Sequence, residues 1–98
     1  MKRTCLIIIS CLLSALAWAE FVNVKVNEPI SANEAPAQFS TWFHVNGCSF
    51  RLYNDETDDI GMRHQSYQQY YNSIAVENCI VIVHSKNGLV SYVNGDIM

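Results

Sequence analysis

Hydrophobic and polar positions alternate with two different periods along this chain. From Phe21 to Val26 the period is two, with Val22, Val24 and Val26 on one side and Phe21, Asn23 and Lys25 on the other, as in a half-buried strand that Asn27-Glu28-Pro29 ends. From Asn33 to Asn46 the period lengthens: Ala35, Phe39, Trp42 and Phe43 form one stripe of a short helix. Asn33 is its expected N-cap, Pro36 is tolerated in the first turn, and Gly47 is the expected stop. Core packing is the default reading of that aromatic stripe. Ser49 to Asn54 reads as a strand with Phe50 and Leu52 on one side, and Asp55 to Asp59 as an acidic turn before Gly61. The segment from Met62 to Tyr71 fits either period. Cys79 to His84 and Leu89 to Val93 are rich in β-branched residues, and Asn87-Gly88 lies between them. That dipeptide tolerates the positive φ a type I′ turn needs at both central positions, so a two-residue hairpin is predicted, pairing Lys86 with Leu89, His84 with Ser91 and Ile82 with Val93.

The N-terminus changes the picture. Lys2 and Arg3, the apolar run Leu6 to Leu16 and the small-x-small site Ala17-Trp18-Ala19 read as a signal peptide over Met1–Ala19, with residues 20–98 as the mature domain. The apolar run is shorter than the ~20 residues that cross a bilayer as a helix, which argues against a membrane anchor. A secreted or periplasmic location follows. About eighty residues remain, enough for one small domain with a marginal core. Nine acidic residues then face four basic ones, so nucleic acid and anionic membrane surfaces are not expected partners. Of the four cysteines, Cys5 and Cys11 leave with the leader. Cys48 and Cys79 stay, either as a disulfide suited to an oxidising compartment or as two buried thiols.

Candidate chemistry is sparse. The acidic run Asp55 to Asp59 lacks the central Gly and terminal Glu of a calcium loop, so a solvated turn is the better reading. No His-Glu-x-x-His occurs, and no nucleophile stands beside a base in a recognisable pattern. No catalytic residue, cofactor or resident metal is therefore expected.

Asp58-x-x-Gly61-x-x-His64-x-x-Tyr67-x-Gln69-x-Tyr71, then Ile74-x-Val76, Val83-His84, Asn87-Gly88-x-Val90 and Val93-Asn94-Gly95 closely resemble the fungalysin/thermolysin propeptide motif, the N-terminal module of secreted zinc metallopeptidase proregions. Asp58, Gly61, His64, Tyr67, Gln69, Tyr71, His84, Gly88, Asn94 and Gly95 carry the likeness. Ser66 stands where the family usually has Arg, Ala75 where it has Pro, and Ser73 and Asn78 where it has Gly. The resemblance implies an α+β fold: an antiparallel meander of about four strands, Ser49 to Asn54, Met62 to Tyr71, Cys79 to His84 and Leu89 to Asn94, with the helix on one face. It also implies a module that assists folding of a zinc metallopeptidase and inhibits it, in trans or as the N-terminal fragment of a longer precursor. The alternative is a free-standing exported binding or structural domain with no peptidase partner, because a fold does not fix a function.

One expectation owes nothing to the family. If the connection from Tyr71 to Cys79 turns about Ile74, antiparallel pairing sets His64 opposite His84, on the face that carries Ser66, Ile80 and Ile82. Imidazoles so placed repel when both are protonated, or share a transition metal; separate structural hydrogen bonds are the plainer reading.

Overall fold

The computed structural model describes residues 19–98; the leader assigned to Met1–Ala19 therefore lies outside them except for its last residue. The elements run β1 (Glu20–Lys25), α1 (Ala35–Phe43), β2 (Cys48–Thr57), β3 (Met62–Tyr71), β4 (Ile74–Lys86) and β5 (Leu89–Ile97). All strands join one antiparallel sheet in the order β1-β5-β4-β3-β2. The expected meander of four strands is thus a sheet of five. The alternating segment at the start of the chain supplies the extra strand by pairing Val22 with Gly95 and Val24 with Val93. The chain stays beside β5 as far as the hairpin tip, where Ala32 N donates to Gly88 O and Val90 N donates to Ile30 O.

Helix α1 crosses one face of the sheet and presents the predicted stripe. Ala35, Phe39 and Phe43 are buried and Trp42 packs partly against them. Phe39 is the hub, with ring centroids 5.0 Å from Phe50, 5.3 Å from Tyr67 and 5.3 Å from Phe43. Val81, Val83, Val90 and Val93 close the core beneath it. The ends of the helix differ from expectation. Glu34, not Asn33, is the N-cap, and its carboxylate instead accepts from the Ser31 hydroxyl at 2.8 Å. His44, not Gly47, takes the left-handed cap at φ 57°, so the helix stops a turn earlier.

The strands are longer than the β-branched runs suggested. Asp55, Glu56 and Thr57 belong to β2, which shrinks the acidic turn to Asp58–Gly61; polar residues are compatible with an outer edge strand. Tyr53 is an extra residue between the Leu52–Tyr67 and Asn54–Ser66 pairs. Phe50 packs on the core while Leu52 stays 48% exposed. β4 begins at Ile74, after a tight Asn72-Ser73 turn, and four of its residues, Val76 to Cys79, bulge opposite Gln69. That bulge restores the register in which His64 faces His84, as expected, although the turn lies ahead of Ile74.

The Asn87-Gly88 turn forms as predicted and pairs Lys86 with Leu89. Beyond it the expected register fails: His84 faces Tyr92, not Ser91, and Ile82 faces Asn94, not Val93. The cause is a bulge at Ser91. A strand flips alternate side chains, so Val90 and Val93 would fall on opposite faces without the extra residue; with it, both reach the core.

Candidate functional site

The face of the sheet away from α1 is polar at its centre, and four motif residues meet there. The Asp58 side chain builds the β2–β3 turn: Oδ1 accepts from Met62 N at 2.9 Å and Ile60 N at 3.1 Å, and Oδ2 lies 2.9 Å from His64 Nε2. Gly61, at φ 84°, completes that turn. On β3, His64 brings Nδ1 to 2.7 Å from Nδ1 of His84 on β4. On β5, Asn94 Oδ1 lies 3.1 Å from His84 Nε2, and Tyr92 stacks on the His84 ring, 4.1 Å between centroids and 13° from parallel. The result is one polar chain, Asp58–His64–His84–Asn94, across four successive segments.

The bond to His64, followed by the backbone N–H groups of Met62 and Ile60, holds the Asp58 carboxyl below the ordinary carboxylate range. Burial pushes His84 below the ordinary histidine value; the Asn94 bond opposes this and the neighbouring His64 adds to it. At the outer end of the sheet, Arg63 pairs with Asp55 through Nε at 2.9 Å and Nη2 at 2.6 Å, which lowers the Asp55 carboxyl.

A second group of motif residues works at the opposite end of β3. Gln69 is fully buried, and its amide donates to Met98 O at 3.0 Å and accepts from Met98 N at 2.9 Å. Tyr71 donates its hydroxyl to the same carbonyl at 2.8 Å. Both residues thereby fasten the end of β5 beside an open groove of about 570 Å³ lined by Val22, Val24, Trp42, Phe43 and Tyr71. Burial, and then the Cys48 thiol, raise the Tyr71 phenol. Cys48 is half-buried, Cys79 is buried, and both are free thiols. Burial and then Asp96 push the Cys79 thiol up.

The remaining motif residues shape the scaffold. Tyr67 is core, edge-on to Phe39. Gly88 sits at φ 80° in the hairpin turn. Gly95 lies so close to β4 that a Cβ there would meet Ile80 O at 2.1 Å. Three contributors escaped the sequence reading: Tyr92, placed by a bulge that periodicity does not show; Met98, whose backbone is the ligand of Gln69; and Gln68, whose Nε2 contacts the carbonyls of Gln69, Val76 and Cys79 at 3.1, 2.7 and 3.2 Å. No helix among the described residues is long and apolar enough to cross a membrane.

Residues 49–97, half of the chain, match the model of the fungalysin/thermolysin propeptide motif family. The chain belongs to that family, which is a propeptide motif and not a catalytic domain. No curated protein and no solved structure matches it.

Proposed function

We propose that this chain is an exported propeptide-type module that assists the folding of a fungalysin- or thermolysin-type zinc metallopeptidase and inhibits it until removed. The family match over β2 to β5 carries the reading. Its motif residues form turns, fasten strands and pack the core, as expected of a scaffold that presents a surface to a partner. On this reading Met1–Ala19 is the leader removed on export, and residues 20–98 are the working module. The protein acts in trans or as the first part of a longer precursor.

The test uses a fungalysin- or thermolysin-type peptidase, preferably one encoded beside this chain. The purified protein should slow cleavage of a peptide substrate and raise the yield of active peptidase on dilution from denaturant. No change in either at high micromolar concentration would overturn the proposal in favour of a free-standing binding domain.

A further inference from the structure

The two outer strands of the sheet are guarded unequally. An edge strand exposes a row of unpaired N–H and C=O groups, and proteins blunt such rows with bulges and charges. β2 has both, in the extra residue Tyr53 and in Arg51, Asp55 and Glu56. β1 runs against β5 from Glu20 to Lys25 with no break in register. Val26 N donates to Ser91 O, so by alternation Val22 and Val24 bond toward β5, while Phe21, Asn23 and Lys25 turn their backbone groups outward. Among the described residues no strand pairs with that outer row.

We propose that β1 is a dimerisation edge: it pairs antiparallel with β1 of a second copy of this chain, about a two-fold axis at Asn23, and joins the two sheets into one. The register follows from complementarity. With Asn23 opposite Asn23, Phe21 stands opposite Lys25 of the second copy, and these are the hydrogen-bonded pairs because all three residues face outward. On the face away from α1, Phe21 then lies between Asp96 of its own β5 and that lysine. Phe21 is 66% exposed, and Lys25 and Asp96 are exposed with no ion-pair partner among the described residues. The lysine stem covers the ring, its ammonium points toward the carboxylate, and the two-fold axis makes the contact twice. A slip of two residues in either direction takes Lys25 off Phe21.

The other face matches as well. Val22 and Val24 are half-buried and meet Val24 and Val22 of the second copy in the non-hydrogen-bonded pairs, where side chains approach most closely. They line the open groove beside Trp42, so the apolar seam runs from one core to the other. The strands contribute about seven residues a side, against roughly 20–30 in a standard interface, so reversible association with a Kd of about 10–100 μM is expected. The inference does not rest on the peptidase reading.

Sedimentation equilibrium of the purified protein between about 5 and about 500 μM should pass from monomer to dimer and stop there, as an isologous contact requires. At the high end, amide exchange should slow at Phe21, Asn23 and Lys25 and stay unchanged at Val22 and Val24, which already bond to β5. Asn23→Pro should abolish the dimer and keep the fold, because the N–H it removes faces outward. Lys25→Glu and Asp96→Lys should each weaken the dimer at least fivefold, and the two combined should return it to within about twofold of the parent. Tyr53→Lys, on the other edge, should change nothing. Circular dichroism confirms that each variant is folded; the charge variants alter exposed side chains, so the test stands if Asn23→Pro unfolds. A dimer that survives in folded Asn23→Pro, uniform protection along β1, no recovery in the combined charge variant, loss of the dimer in Tyr53→Lys, or assembly beyond the dimer each overturns the proposal. So does a monomer at the highest concentration, which would leave the edge to a strand from another protein.

Discussion

The two hairpins that share β4 solve one backbone problem with different chemistry. The β4–β5 hairpin turns at Asn87-Gly88, with φ 53° and 80°, and has glycine again at Gly95, where β5 passes the Ile80 carbonyl. The β3–β4 hairpin turns at Asn72-Ser73, with φ 49° and 65°, then bulges through Asn78 at φ 63°, and contains no glycine. Three non-glycine residues there occupy left-handed backbone, which costs free energy. The amide of Gln68, reaching the Val76 and Cys79 carbonyls across the bulge, offsets part of that cost. One hairpin is specified by composition, and the other is held by a side chain.

Substitutions should separate the two designs. The largest effect is expected at Gly95→Ala, whose Cβ would meet backbone atoms that cannot yield without parting β4 from β5. The expected loss is about 3 kcal/mol or more in urea unfolding, and a loss below about 1 would mean the sheet is not so tightly closed there. Gln68→Ala should come next, at about 2 kcal/mol, because it strips carbonyls of a shared donor in a part-buried bulge. Amide exchange at Val76 to Cys79 should accelerate before exchange elsewhere; uniform acceleration would show that the bulge does not depend on Gln68. Gly88→Val should cost at least ~1 kcal/mol, since a β-branched residue is poorly tolerated at φ 80°. Ser73→Gly should do the reverse, raising stability by up to ~1 kcal/mol as relief of left-handed strain outweighs the entropy glycine adds to the unfolded chain. A lower melting temperature for Ser73→Gly would show that the serine is not strained.

The same contrast explains how much of this fold was legible. A turn dipeptide fixes the first cross-strand pair, so Lys86 opposite Leu89 followed from Asn87-Gly88. It does not fix pairs beyond a bulge, and nothing in the local pattern of Leu-Val-Ser-Tyr-Val marks Ser91 as the extra residue. The need for Val90 and Val93 to share the core selects it, and that is a tertiary requirement. The helix stripe and the alternation of β1 were plain in the sequence because each faces one core. The place of β1 beside β5 was not, because alternation names a face and not a neighbour. At the polar site the pairing of His64 with His84 could be reached by arithmetic on the strands. Asp58 and Asn94 were known as motif residues, but their roles as the outer ends of that chain depend on a side-chain turn and a shifted register. The positive φ at Ser73 and Asn78 also gives a physical reason for the glycine that the family usually carries at both positions.

The smallest expected effect concerns the residues that tie the two hairpins together. His84 sits on the strand they share and meets His64 from one hairpin and Tyr92 and Asn94 from the other; Asp58 lies beyond His64, and Glu56 pairs with His64 across β2–β3. Burial, with His64 adding to it, lowers the folded-state proton affinity of His84, so the unfolded chain binds that proton more readily. Stability is therefore fully present above the ordinary histidine value, near 6.5, and is lost as the pH falls from there toward the lower folded value. In metal-free buffer with a chelator, the parent protein should lose stability between pH 7 and pH 5 more steeply than His84→Gln. Asp58 and Asp55, whose carboxyls are held below the ordinary carboxylate range, contribute little to the difference. Combining His64→Gln with His84→Gln in a double-mutant cycle should give a coupling of about half a kcal/mol or more that changes between the two pH values. Additivity at both would mean that the rings do not sense each other and that the two hairpins meet at His84 only through backbone pairing.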